Sequence, residues 1–365
     1  MIKDTSIDLV TNQIPHMSMN GSFTRASNGE IIFIYCRSIS QGRTILCRIR
    51  SSDEGMTWTS PERLPFLDDP REKPCIYLPS TSALTLGDGR MMLVYQQVYP
   101  SQNTSIFVRT SQDGGNTWSP ETMVDESHRG WFLVSNDRLV QTPSGRILIP
   151  ACCHTAMPLK MSPESFENLS FLDQAINRYG MPQFYYSDDG GATWSSNSSA
   201  LSINVSASTS GLQEPGIVCL GGNVLMCYAR TDLGRQYESF SFDDGRSWSQ
   251  PEPSSLSSSC STAVIHRAPN RRTLVAVWNP VPNYITMEQD NLSIRQRLIC
   301  AFSDDMGEHW NEPMVIENDH DYEFSHPALF VGRDYLLISY NCMSSLNSRN
   351  FAIRVRRVSL PRSFS

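Results

Sequence analysis

The chain has 365 residues and a formal net charge of −7, which argues against a nucleic-acid binder, since such proteins usually need a basic face to neutralise phosphates, although a few gathered arginines would still hold an anionic ligand. No apolar run approaches the ~18 residues of a membrane span, and the opening MIKDTSIDLV lacks the basic-then-apolar form of a secretory signal. The ten cysteines include no C-x-x-C pair, and Cys36, Cys47, Cys219, Cys227 and Cys300 sit in apolar, strand-like runs, so reduced core thiols, no structural metal and no cofactor are expected.

In chain order, SIDLV (6–10) reads as a strand with no partner nearby. The hairpin GSFTRASNGEIIFIYC (21–36) follows, two apolar strands around a turn, and then a further strand ending in SSDEGMTW (51–58). The same succession returns as SALTLGDGRMMLVYQ (82–96) with SQDGGNTW (111–118), and as DRLVQTPSGRILIPAC (137–152) with SDDGGATW (187–194). It returns again as PGIVCLGGNVLMCYA (215–229) with SFDDGRSW (241–248), and as TAVIHRAPNRRTLVAVW (262–278) with SDDMGEHW (303–310). A sixth hairpin, PALFVGRDYLLISYN (327–341), leads only to FAIRVRRVSL (351–360).

The turn S-x-D-x-G-x-[T/S]-W has a mechanical reading. Its Asp folds the carboxylate back onto backbone N–H groups, its Gly supplies a positive φ, and its Trp covers the turn against neighbouring strands. Units of about four short strands, repeating roughly every 50–75 residues, are too many for one sandwich. They predict an all-β chain, a six-bladed β-propeller forming one domain over 1–365, with SIDLV completing the last blade beside the C-terminal strand. Residues 155–182 form an insertion in which MSPESFENLSFLDQAINRYG holds a short amphipathic helix; surface decoration and a functional loop are both open readings.

Alternating strands put every hairpin turn and every S-x-D-x-G-x-[T/S]-W turn on one side of the disc. The opposite side collects the residues before and after each hairpin, around the axis where propellers place their sites. Those before are Met19 and Asn20, Thr81, Asn136, Asp137 and Arg138, Gln213 and Glu214, Ser261, and Ser325 with His326. Those after are Arg37, Gln97, His154, Arg230, Asn279 and Asn341, and Arg295 begins the fifth outer strand on that side. Each alone is an ordinary strand-end residue. Acids and arginines around one hollow read together as an anion-binding catalytic site.

These motifs resemble the sialidase superfamily, six-bladed propellers whose Asp boxes are the turn described above, and the resemblance covers nearly the whole chain. It implies a substrate carboxylate clamped by three arginines, a tyrosine nucleophile assisted by a glutamate, and an aspartate as acid/base. Glu214 through Arg230 looks like the family's Glu-strand-turn-strand-Arg unit, which makes Glu214 the assisting carboxylate and Arg230 a clamp; Arg295 matches the third clamp arginine. Three slots differ. The first arginine would fall near Met19, the aspartate at Thr44 and Ile45, and the tyrosine at Phe324, flanked by Tyr322 and His326. Substitutes on the same face are Arg138 for the guanidinium, Asp137 or His154 for the acid, and Tyr322 as nucleophile. The run NDR through IPACCH also looks like other sialidase-like propellers that keep the Glu214 and Arg230 equivalents.

The expected activity is therefore exo-acting glycoside hydrolysis of a terminal acidic sugar, with sialic acid first, and sialylated or other acidic glycans as partners. Asn136, His326, Asn279, Gln97 and Arg37 are expected to join Arg138, Arg230 and Arg295 in holding substrate. A uronate-directed polysaccharide lyase or other glycosidase, and a non-catalytic carbohydrate-binding propeller, remain open from the same residues. A cytoplasmic location is expected as the sequence stands, a secreted or periplasmic one if a signal peptide has been removed; an oligomer is compatible with either.

Overall fold

The computed structural model describes residues 4–10, 21–40, 43–65, 80–98, 104–125, 131–154, 179–197, 200–204, 206–281, 294–347 and 351–360. Among them there is no helix. The strands form six antiparallel sheets arranged as the blades of a propeller. Blade one holds β2 (Ser22–Arg25), β3 (Ile31–Ser40), β4 (Arg43–Ser51) and β5 (Glu62–Arg63). Blade two holds β6 (Thr81–Thr85), β7 (Met91–Val98), β8 (Thr104–Ser111) and β9 (Thr122–Met123).

In blade three the inner strand is broken into β10 (Trp131–Leu133) and β11 (Val140–Gln141), both paired to β12 (Ile147–His154), with β13 (Gly180–Ser187) and β14 (Ser195–Ser196) outside. Blade four is β15 (Gln213–Gly221), β16 (Val224–Arg230), β17 (Arg235–Ser241) and β18 (Glu252–Ser257). Blade five is β19 (Val264–Arg267), β20 (Leu274–Trp278), β21 (Arg297–Ser303) and β22 (Met314–Asn318). Blade six is β23 (Tyr322–Val331), β24 (Tyr335–Ser344), β25 (Phe351–Ser359) and, from the other end of the chain, β1 (Thr5–Val10). Ile7 faces Val355 in that closing pair, as expected for SIDLV.

Blades bury both faces, which is why their middle strands are continuous apolar runs rather than alternating ones. In β3, Ile31, Phe33 and Tyr35 pack into the core between blades one and six, while Ile32, Ile34 and Cys36 pack between blades one and two. Every neighbouring pair of blades encloses such a cluster. The nine described cysteines are free thiols, most of them buried.

The Asp boxes are built as their sequence predicts, with one addition. In the third, Ser187 Oγ donates to Asp189 Oδ1 and accepts from Gly191 N at 2.8 Å each, while Asp189 accepts from Thr193 N at 2.9 Å and from its hydroxyl at 2.5 Å. Not one but two consecutive residues are left-handed, for instance Glu54 at φ 58° and Gly55 at φ 80°. The insertion expected at 155–182 ends by Gly180, where β13 starts, and its residues 155–178, like Met19 and Asn20, lie outside the described residues. Arg295 precedes β21 rather than opening it.

Candidate active site

Two of the inner strands carry a bulge at the same height. In β15, Gln213 faces Arg230 but the next pair is Gly216 with Tyr228; in β23, Ser325 faces Asn341 but the next is Ala328 with Ser339. An extra residue thus stands in each strand. The bulged residues are Glu214 and His326, each followed by a proline and each left-handed, at φ 49° and 51°. Such backbone is costly for residues with a Cβ and concentrates at functional positions.

The bulges turn both side chains to one point. Arg230 Nη1 donates to Glu214 Oε2 at 2.8 Å, and the Thr262 hydroxyl donates to the same oxygen. His326 Nε2 lies 3.4 Å from Glu214 Oε1. Arg295 is electrostatically coupled to both Glu214 and Arg230, and its Nη2 donates to the Cys260 carbonyl at 3.2 Å. Glu214, Arg230, Arg295 and His326 are thereby brought together. Thr262 and Cys260 join them without having been singled out; the sequence signal for Thr262 is that it holds in blade five the position that Glu214 and His326 hold in the blades on either side.

Charge states follow from these contacts. Burial opposes the charge on Glu214, but Arg230, then His326 and Thr262, hold its pKa well below the usual carboxylate value. Burial would lower the Arg230 pKa; Glu214 and Cys260 override that and raise it. Burial lowers the His326 pKa from 6.5, with Arg295 and Arg230 adding to the effect against the pull of Glu214. Burial, and then Arg230, lower the Arg295 pKa from 12.5, but a guanidinium keeps its proton at neutral pH. At neutral pH the site therefore holds a carboxylate, a neutral imidazole and two guanidinium groups, an excess of positive charge. The Nε atoms of Arg230 and Arg295 are buried without a hydrogen-bond partner, the sort of unused donor that a bound anion satisfies.

Other expected residues are placed differently. The segment from Ser135 to Leu139 crosses the axis as a strap. Asn136 Nδ2 donates to the carbonyls of Gly21, His326 and Pro327 at 3.3, 3.3 and 3.1 Å. Asp137, itself left-handed at φ 59°, accepts from Ser22 Oγ at 2.8 Å and Leu329 N at 2.9 Å, with His266 Nε2 at 3.3 Å. These partners lie on blades one, six and five, so Asp137 is not facing Glu214 as an acid would. Arg138 donates to Tyr228 Oη at 3.1 Å and to the carbonyls of Ala263 and Glu214 at 2.7 and 3.4 Å, lying over the Tyr228 ring. Where a ligand clamp was expected, Arg138 turns its two terminal nitrogens to these groups inside the ring, and its Nε is buried without a partner, as are those of Arg230 and Arg295.

Tyr322 stacks on Phe324, which is buried in the core between blades five and six; Tyr322 therefore packs with that core, not toward Glu214. Asn279 accepts from Ser261 Oγ and donates to the carbonyls of Arg297 and Phe324, stitching blade five to blade six. Arg37 lies beside Cys47 and Tyr35. Gln97 is buried where β7 faces Ser105, and His154 is buried at the end of β12 opposite Gly180. Among the described residues, one group of side chains is close enough to share a metal ion, Asp305, Glu308 and His309 in the fifth Asp box. It is exposed, and Asp305 already accepts from His309 N at 2.9 Å.

A family model described as a BNR repeat-like domain matches residues 66–338. Among solved structures, the chain is similar to a Hadza microbial sialidase, with a TM-score of 0.72 at 16% identity over 98% of this chain and 69% of that one. It is similar to a protein of unknown function from Dyadobacter fermentans, with a TM-score of 0.67 at 14% identity over 99% of this chain and 100% of that one. It is also similar to the intramolecular trans-sialidase from Ruminococcus gnavus, with a TM-score of 0.65 at 12% identity over 95% and 94%. No curated protein sequence matches the chain. At such identities the structural likeness speaks for the fold.

Proposed function

The chain belongs to the BNR repeat-like domain family, and from that premise we propose that it is an exo-acting glycoside hydrolase that removes a terminal sialic acid from sialylated glycans. The observation that carries this is the joining of Glu214, Arg230, Arg295 and His326 at the axis, with unused guanidinium donors beside an anionic carboxylate. Arg230 and Arg295 pair with the sugar carboxylate. Glu214 orients His326 through Nε2, which leaves Nδ1, 3.1 Å from Ser325 Oγ, as the nitrogen that takes a proton from the attacking water. With Phe324 in the core and Tyr322 stacked on it, attack falls to water rather than to a tyrosine. His154, which ends β12 as Arg230 ends β16, is assigned as the donor to the leaving oxygen.

The test is release of free sialic acid from a chromogenic sialoside. Turnover that is abolished in Arg230→Ala and falls to a small residual rate in His326→Gln supports the reading; no turnover on any sialoside linkage removes it.

One observation favours a second reading. A neutral histidine flanked by two arginines also suits β-elimination on a uronate, where guanidinium neutralises the carboxylate and imidazole removes the proton beside it. An absorbing unsaturated product from a uronate polymer would decide for the lyase. Binding without any product would leave a carbohydrate-binding propeller.

A further inference from the structure

The strap in blade three touches every other blade, and its contacts are not spread evenly. Arg138 N and Leu139 N donate to Ser82 Oγ in blade two at 2.8 and 2.7 Å. Asp137 reaches Ser22 in blade one and Leu329 N in blade six. The two residues flanking Asp137 do something more particular. Asn136 donates to the carbonyl of His326, and Arg138 donates to the carbonyl of Glu214. Each therefore grips the backbone of one left-handed residue of the site, from inside the ring.

A left-handed residue with a Cβ is disfavoured by roughly 1–2 kcal/mol, and a following proline restricts its backbone further. His326 and Glu214 carry both burdens. Without a partner on the carbonyl, each peptide would relax toward extended backbone, and the bulge would no longer present the side chain to its mate. Asn136 is fully buried; its Nδ2 donates only to backbone carbonyls, while its Oδ1 has no hydrogen-bond partner.

We propose that Asn136 and Arg138 are positioning residues of the site, holding the carbonyls of His326 and Glu214 so that the imidazole and the carboxylate stay in contact. The claim concerns the arrangement of the pair and holds whichever substrate the site takes. Its test can therefore fail independently of the glycosidase reading.

The test uses the full-length protein with the His326 ring observed by NMR through a pH titration, in wild type, Asn136→Ala and Ser22→Ala. Ser22→Ala removes a strap contact, to Asp137, that involves neither Asn136 nor Arg138, and so serves as the control for a general loosening of the strap. In wild type the His326 midpoint is expected below 6.5, chiefly because the ring is buried, with Arg295 and Arg230 acting in the same direction and Glu214 against it. Asn136→Ala is expected to move it by about half a pH unit or more, as the ring leaves that burial and those neighbours, while Ser22→Ala leaves it in place. A folded Asn136→Ala protein with the wild-type midpoint overturns the proposal, as does an equal movement in Ser22→Ala. Should Asn136→Ala not fold, Asn136→Ser, which keeps one donor at shorter reach, takes its place and is read in the same way. Binding of free N-acetylneuraminic acid, followed in parallel by calorimetry, reports on the substrate reading alone.

Discussion

Arg230 Nη1 stands 2.8 Å from Glu214 Oε2 because Gln213 and Arg230 face one another across β15 and β16, one position before the bulge. Both side chains are more than nine-tenths buried. Removing one member of a buried ion pair leaves an uncompensated charge, at about 3–5 kcal/mol, whereas removing both is often neutral. Arg230→Met alone should therefore lose on the order of 3–5 kcal/mol in urea denaturation, and the double variant Arg230→Met with Glu214→Gln should recover most of it. Both should lack turnover on a sialoside. A double variant as unstable as the single one would mean that the pair is held for stability rather than for chemistry.

The imidazole of His326 sets the second expectation. Its folded pKa is lowered below 6.5 by burial and by Arg295 and Arg230, so the folded state binds fewer protons than the unfolded one across that window. The stability it contributes is present above pH 6.5 and is lost as pH falls toward the folded pKa. Because the neutral ring is the working form, kcat/KM should have an acid limb below pH 6.5 that disappears in His326→Gln along with most of the rate. A limb unchanged in that variant would assign it to another group.

What the sequence made legible is local. The Asp boxes put Ser, Asp, Gly, Thr and Trp at fixed offsets because their bonds close within four residues, as from Gly191 N to Ser187 Oγ. Glu214 and Arg230 were readable because one hairpin brings its own ends together. The strap was not. Leu329 N and Asp137 Oδ2 meet across 192 residues, and nothing in the run SNDR tells that its polar groups turn inward to other blades. The face of the residues that follow His326 was hidden for a related reason. Tyr322 and Phe324 face the core between blades five and six, and the bulge at His326 inverts the pleat, so that Leu329 rather than Ala328 shares that core. An insertion of one residue into a strand is invisible to an alternation pattern.

The Asp boxes divide into a buried part and an exposed part, and the two should respond differently. Ser187 Oγ is buried and serves Gly191 N, while Thr193 is exposed over Asp189. Ser187→Ala strands a buried N–H, costing about 1–3 kcal/mol, whereas Thr193→Val loses an exposed bond worth about 0.5–1 kcal/mol. Thermal unfolding of the two variants checks the order. Equal costs would show that the box is held by its carboxylate rather than by its serine.

Glu238 and Glu252 face one another across β17 and β18, at the rim of blade four. Burial and then the Glu252 carboxylate push the Glu238 pKa up from 4.5 to about 7. Here the folded state binds more protons than the unfolded one, so the contribution to stability is fully present below pH 4.5 and is lost as pH rises through about 7. Glu238→Gln removes the burden of ionising a half-buried carboxyl beside its like. It should raise stability at pH 8 by roughly 1 kcal/mol, allowing for screening by solvent, and change it little at pH 4. Urea denaturation at the two pH values reads the difference. A gain of equal size at both would trace the effect to packing of the amide, since only a carboxylate that must shed its proton distinguishes the alkaline condition from the acid one.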